Sequence, residues 1–202
     1  MDIQDPQESD PLQLVEAAAA LATILPSIGV DYAVAGGMAC VLMGSERLTH
    51  DLDLVVDMDG SDIVKAKQQV AAVDSRFTST GNSLYFCGLP IEFLTTRSFV
   101  WPIPLKSGSR IVQHDNIEIN VLSPAALLLT KCTRMASSVG STRPKTLSKL
   151  RSDTEDVTFI VPQVTRKELD FLLSQHPPDK QVRLRSNLAK VAEEVVGVRQ
   201  LL

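Results

Sequence analysis

Two aspartates, Asp51 and Asp53, stand two residues apart inside the largely apolar run LTHDLDLVV (48–56). In a strand, alternate side chains share a face, so both carboxylates project together while Leu52 and Leu54 point the other way into a core. An unpaired carboxylate buried there is costly. Two carboxylates held side by side repel unless positive charge lies between them, and an oxygen-only donor pair suits Mg²⁺ or Mn²⁺. Aspartates capping a strand edge in solvent would give the same D-x-D pattern. Glu92 repeats the theme: in PIEFLTT it is flanked by Ile91 and Phe93, as a third metal ligand or as an exposed-face glutamate.

Gly36 and Gly37 follow a short apolar run and open a short helix. Backbone free of side chains at that point lets amide N–H groups approach a phosphate, although a plain tight turn reads the same way. Arg47 and Thr49 stand just ahead of the aspartates, within reach of a phosphate oxygen or as ordinary surface. Jointly these parts specify a phosphate cradle beside a three-carboxylate metal site. His50 points away from the aspartates and reads as structural, and His114 and His176 fall in loop-like sequence. Trp101 lies in the irregular stretch Ser98–Arg110, bordering an acceptor pocket or simply packing.

The elements that must position these residues can be read from pattern and punctuation. Residues 1–10 read as disordered. Pro11 to Leu25 reads as a helix stopped by Pro26, and Asp31 to Ala35 as a strand. Met38 to Met43 is a short helix, Leu52 to Val56 a strand, and Ser61 caps a helix reaching Val73. SLYFC and IEFLTT form a hairpin turning near Gly88 and Pro90, and Ile117 to Val121 is a further strand. Helices then take over. Ser123-Pro124 is an N-cap with proline at the first position, leading into AALLLTKCTRMA. The helix KTLSKLRSDTEDVTFIV follows a GSTRP loop. Thr165 and Glu168 make a capping box, and a last helix runs from Asp179 to Leu202. The expected class is α+β: a core of residues 11–122 with a small mixed sheet and flanking helices, then a helical region, 123–202.

Composition restricts the partners. The 202 residues are 44% hydrophobic and 22% charged, with only 4% aromatic, so the core rests on aliphatic side chains. A net charge of −4 argues against a general electrostatic grip on long nucleic acid. Three cysteines without metal-type spacing read as buried thiols in a reducing, cytoplasmic setting. The acidic start resembles neither a secretory signal nor a transit peptide, and no stretch is apolar enough for a membrane.

The order strand, Gly-Gly, spacer, Asp-x-Asp, later strand-borne acid resembles the nucleotidyltransferase superfamily of the DNA polymerase beta type. The residues that carry the resemblance are VAGGMA, the spacer Met38–His50, DLDLVV and IEF. RLTHDLDL is most similar to minimal nucleotidyltransferases and to AbiEii-type relatives in toxin–antitoxin systems and fungi. The likeness continues through VLSPAALLLTK and KLRSDTEDVTFIV and covers about Asp31 to Val161; beyond that the chain matches no named pattern. The resemblance implies transfer of a nucleoside monophosphate from an NTP to an acceptor, with release of pyrophosphate and Mg²⁺ or Mn²⁺ as cofactor. Asp51, Asp53 and Glu92 would then be the catalytic metal ligands, and Gly36 and Gly37 the triphosphate cradle. Lys131 would touch the triphosphate or remain a solvated lysine. Lys149, Asp153 and Asp156 share a helix face, where a Lys149–Asp153 salt bridge explains the first pair. Gly37 departs from relatives that carry serine there. The acceptor class stays open among small molecules, RNA ends and proteins. An inactive, antitoxin-like binding protein using its helical half as partner surface is the alternative.

Overall fold

The computed structural model describes residues 11–98 and 102–202. Residues 1–10, expected to be disordered, and Trp101, expected either to border an acceptor pocket or simply to pack, lie outside the described residues.

The described residues divide into two compact units: one holds those up to Thr95 together with Ile111–Val121, the other those between Thr96 and Arg110 together with Leu122–Leu202. In the first, helix α1 (Pro11–Ser27) precedes strand β1 (Tyr32–Val34), helix α2 (Gly36–Leu42), strand β2 (Leu52–Val56) and helix α3 (Gly60–Val73). Strands β3 (Phe77–Thr80), β4 (Ser83–Phe86) and β5 (Leu89–Thr95) follow, and β6 (Ser109–His114) and β7 (Ile117–Leu122), which lie in this unit over Ile111–Val121, complete the sheet. The strand order is β3-β4-β5-β2-β1-β7-β6, mixed as expected. β1 runs antiparallel to β2 and parallel to β7, while β2 runs parallel to β5.

The central strands β1, β2 and β7 supply the aliphatic core, with Ala33, Val34, Leu52, Leu54, Val55, Val56, Ile119 and Val121 all inaccessible to solvent. Asn120 ties β7 to β1 by donating from Nδ2 to the Tyr32 carbonyl at 2.6 Å. The β4–β5 hairpin turns on Cys87 and Gly88, both at positive φ (48° and 88°), the two-residue geometry that matches the strands' twist.

Several expectations change. Pro26 sits inside the last turn of α1 rather than beyond it. The cap of α3 is Asp59, not Ser61, and the helix begins at Gly60. The stretch read as irregular, Ser98–Arg110, contains the short helix α4 (Leu105–Gly108) and the start of β6. β3 was absent from the expected set. Both missed strands lie at the two ends of the sheet order, where one flank and much of each face stay wet, so neither needs a clean apolar alternation.

In the helical unit, α5 (Pro124–Ser138) is buried around most of its circumference, as a central helix must be. It packs against α6 (Pro144–Ile160), α7 (Arg166–Ser174) and α8 (Pro178–Val191). Ser123 caps α5 by accepting from the Ala126 amide at 3.2 Å, and the Thr165–Glu168 capping box of α7 is complete. The last helix is interrupted: α8 ends at Val191 and α9 covers only Val196–Arg199.

Candidate functional site

The glycine pair and the acids converge in the first unit. β1 delivers the chain to Ala35, whose amide donates to the Asp53 carbonyl at 2.8 Å. The next residue, Gly36, turns into α2 at φ 62°, a left-handed conformation that costs L-residues about 1–2 kcal/mol. A side chain is excluded there for a second reason: a Cβ on Gly36 would overlap Asp53 Oδ2 and lie 3.2 Å from its Cγ. Gly37 is equally hemmed in, since its Cβ would meet Arg47 Nη2 and Thr49 Oγ1, each at 2.7 Å. The Arg47 guanidinium and Thr49 hydroxyl occupy the space a side chain there would take.

Asp53 sits in β2 directly opposite Glu92 in β5, as Cα register partners of a parallel pair, so their side chains share one sheet face. Their neighbours Leu52, Leu54, Ile91 and Phe93 are buried. Asp51 precedes β2 by one residue rather than lying in it. Thr49, only 2% exposed, donates from Oγ1 to Asp51 Oδ1 at 3.0 Å. Arg47 donates from Nε to the Leu48 carbonyl at 3.1 Å, with its guanidinium over Gly37. Gly36 thus lies against Asp53, Gly37 against Arg47 and Thr49, and Thr49 against Asp51, while Glu92 is tied to Asp53 by strand register.

As a metal centre the cluster has hard oxygen donors on neighbouring strands, which suit Mg²⁺ or Mn²⁺. Among the described residues no three His, Cys, Asp or Glu side chains stand close enough together to hold a metal ion. Sharing a cation thus requires a rotamer change in at least one carboxylate. The half-exposed Asp53 and the exposed Glu92 have room for it. The donor set fits the ion in chemical type, and Asp53 and Glu92 share a register position.

Lys131 belongs to the helical unit. It is 3% exposed and donates to Asp156 Oδ2 at 2.5 Å, with Asp153 Oδ1 at 3.8 Å. Arg134 also grips Asp153 through two guanidinium nitrogens. The expected Lys149–Asp153 pair gives way to these interhelical contacts: Asp153 and Asp156 turn inward and Lys149 stays exposed.

Lys67 escaped the sequence reading. Buried in α3, it donates to the Asn82 carbonyl at 2.7 Å and lies 5.3 Å from the Phe93 ring centroid. Burial lowers its ammonium pKa below the usual lysine value, while the Glu92 carboxylate works in the opposite direction. Its signal was a lysine inside the helical apolar spacing Ile63, Ala66, Val70.

No family model matches the chain, and no curated protein matches it in sequence. Solved structures do match. An antigenic nucleotidyltransferase-like protein from Paracoccidioides brasiliensis superposes with TM-score 0.68 at 19% identity, over 96% of this chain and 93% of that one. The antibiotic-resistance factor ANT(2″)-Ia matches with TM-score 0.54 at 10% identity, over 92% and 97% of the two chains. A structure of ANT(2″)-Ia in complex with adenylyl-2″-tobramycin gives TM-score 0.51 at 10% identity, over 87% and 98%. The chain has a nucleotidyltransferase-like fold.

Proposed function

We infer that this chain, built on a nucleotidyltransferase-like fold, moves a nucleoside monophosphate from an NTP to the hydroxyl of an acceptor and releases pyrophosphate. The observation that carries the reading is the register of Asp53 with Glu92, beside a glycine whose Cβ-free surface abuts Asp53. In this reading the backbone at Gly36 and Gly37 receives the triphosphate, and Arg47 meets its charge with a planar, multi-donor guanidinium. Asp51, Asp53 and Glu92 would hold Mg²⁺ or Mn²⁺, which when bound neutralises charge on the attacking and leaving oxygens. Glu92 takes the proton from the acceptor hydroxyl as its oxygen bonds to the α-phosphorus and the bond to pyrophosphate breaks. Lys131, engaged by two aspartates, enters as a brace between α5 and α6 rather than as a phosphate ligand.

Among the described residues no helix is long and apolar enough to cross a membrane. The acceptor is a small molecule, an RNA end or a protein side chain. ANT(2″)-Ia, with its adenylyl-tobramycin complex, makes a small hydroxyl-bearing molecule the first class to try.

The test is incubation with α-labelled NTPs, Mg²⁺ or Mn²⁺, and panels of small-molecule, RNA and protein acceptors, reading label transfer and pyrophosphate. Asp53→Asn should abolish transfer while leaving the thermal melt cooperative. Nucleotide binding without transfer to any acceptor would turn the assignment toward a regulatory binding protein.

A further inference from the structure

We propose that Thr49 is a positioning residue for Asp51, setting the carboxylate's rotation so that Oδ2 is presented to a divalent cation. The inference rests on the metal-dependent reading of this site and assigns Thr49 a different part from the phosphate contact its sequence position implies.

The two aspartates are held by different means. Asp53 lies within β2, between Leu52 and Leu54, and its strand is paired on both sides. Asp51 lies before β2, at the end of a stretch, residues 45–51, with no regular secondary structure. Strand pairing therefore does not fix its side chain. Thr49 supplies what the ladder does not: it is buried, and its hydroxyl donates to Asp51 Oδ1 at 3.0 Å. A β-branched residue has few χ1 choices, so the donor is held in direction as well as in place.

The hydroxyl has one proton. Directed at Asp51, it has none left to give a phosphate oxygen, and that role falls to the guanidinium of Arg47. Gly37 belongs to the same device. A Cβ there would press on the Thr49 hydroxyl and Arg47 guanidinium together, so the missing side chain leaves both groups where they act.

Hydrogen bonds to metal-ligating carboxylates typically change metal affinity by about 10–100-fold when removed. The experiment is Mn²⁺ titration of the full chain without nucleotide, following free Mn²⁺ by electron paramagnetic resonance. It compares wild type, Thr49→Val, Thr49→Ser, Asp51→Asn and the Thr49→Val/Asp51→Asn double variant, with a circular-dichroism melt for each. Thr49→Val should weaken Mn²⁺ binding by about tenfold or more, and Thr49→Ser should bring it back to within about threefold of wild type. In the Asp51→Asn background, Thr49→Val should change Mn²⁺ affinity no further, because both act through one group. ATP binding in EDTA should be the same for wild type and Thr49→Val. If Thr49→Val does not fold, Thr49→Cys, which keeps a side chain of similar size with a weak donor, is read in its place.

Wild-type Mn²⁺ affinity in the valine variant, an equal loss in both backgrounds, or weakened ATP binding in EDTA would overturn the positioning role and leave the transferase reading standing. A wild-type protein that binds no Mn²⁺, with or without ATP, would remove the metal site itself and this inference with it.

Discussion

Asp53 and Glu92 are partners across the parallel pair β2–β5, one register step from the buried pairs Leu52–Ile91 and Leu54–Phe93. The alternation that buries those pairs obliges the two acids to share the opposite face, so the core fixes the spacing of the carboxylates. Rigid strands hold such a constellation better than a loop does.

Gly36 is the most demanding backbone position of the site. Gly36→Ala should lower stability by about 1–2 kcal/mol from its positive φ alone, and should also push the Asp53 carboxylate out of place. Chemical denaturation measures the first effect, and Mn²⁺ affinity of the folded variant measures the second. A variant with wild-type values for both would show that the close approach to Asp53 has no consequence.

The buried ion pair of the helical unit should be costly to break and cheap to replace. Lys131→Ala leaves Asp156 buried without its main cation and should cost about 3–5 kcal/mol. Replacing both partners, as Lys131→Met with Asp156→Leu, should cost much less, because no buried charge is stranded. Urea denaturation of the two variants gives the comparison, and equal losses would contradict it.

The three thiols should separate cleanly by reactivity. Cys87 is exposed at the hairpin turn, while Cys40 and Cys132 are buried. Burial, with the Asp153 carboxylate adding to it, pushes the Cys132 thiol up to about 12, leaving almost no thiolate near pH 8. One equivalent of a disulfide reagent should react quickly with the native chain and three after unfolding. Cys87→Ser should remove the fast phase.

His176 should make stability fall in mild acid. Burial lowers its pKa below the ordinary value, so the folded state favours neutral imidazole. As pH drops through about 6.5, the unfolded chain takes up a proton first, and by linkage folding stability declines until the folded imidazole also protonates. The contribution is whole above that pH and shrinks below it. Melting temperatures from pH 7.5 to 5.5 should fall less steeply for His176→Leu than for wild type. Parallel curves would rule the histidine out.

Much of this protein was legible in one dimension because the signals are local. Alternation around Asp53 and Glu92 marked β2 and β5. Ser123 and the Thr165–Glu168 box marked helix starts, and Gly36-Gly37 marked the turn into α2. Each is a contract between residues a few positions apart, which spacing alone can reveal. The sheet's end strands β3 and β6 were not legible, since partial exposure relaxes the alternation that betrays a strand.

Only the tertiary structure could decide who meets whom. It gave the Thr49 hydroxyl to Asp51, put Arg47 over Gly37, and drew Asp153 and Asp156 inward to Lys131 and Arg134 in place of Lys149. The physical reason is that a charge or hydroxyl takes the partner that burial brings within bonding distance. Sequence periodicity records which face a side chain occupies; the partner is set by the element folded against that face.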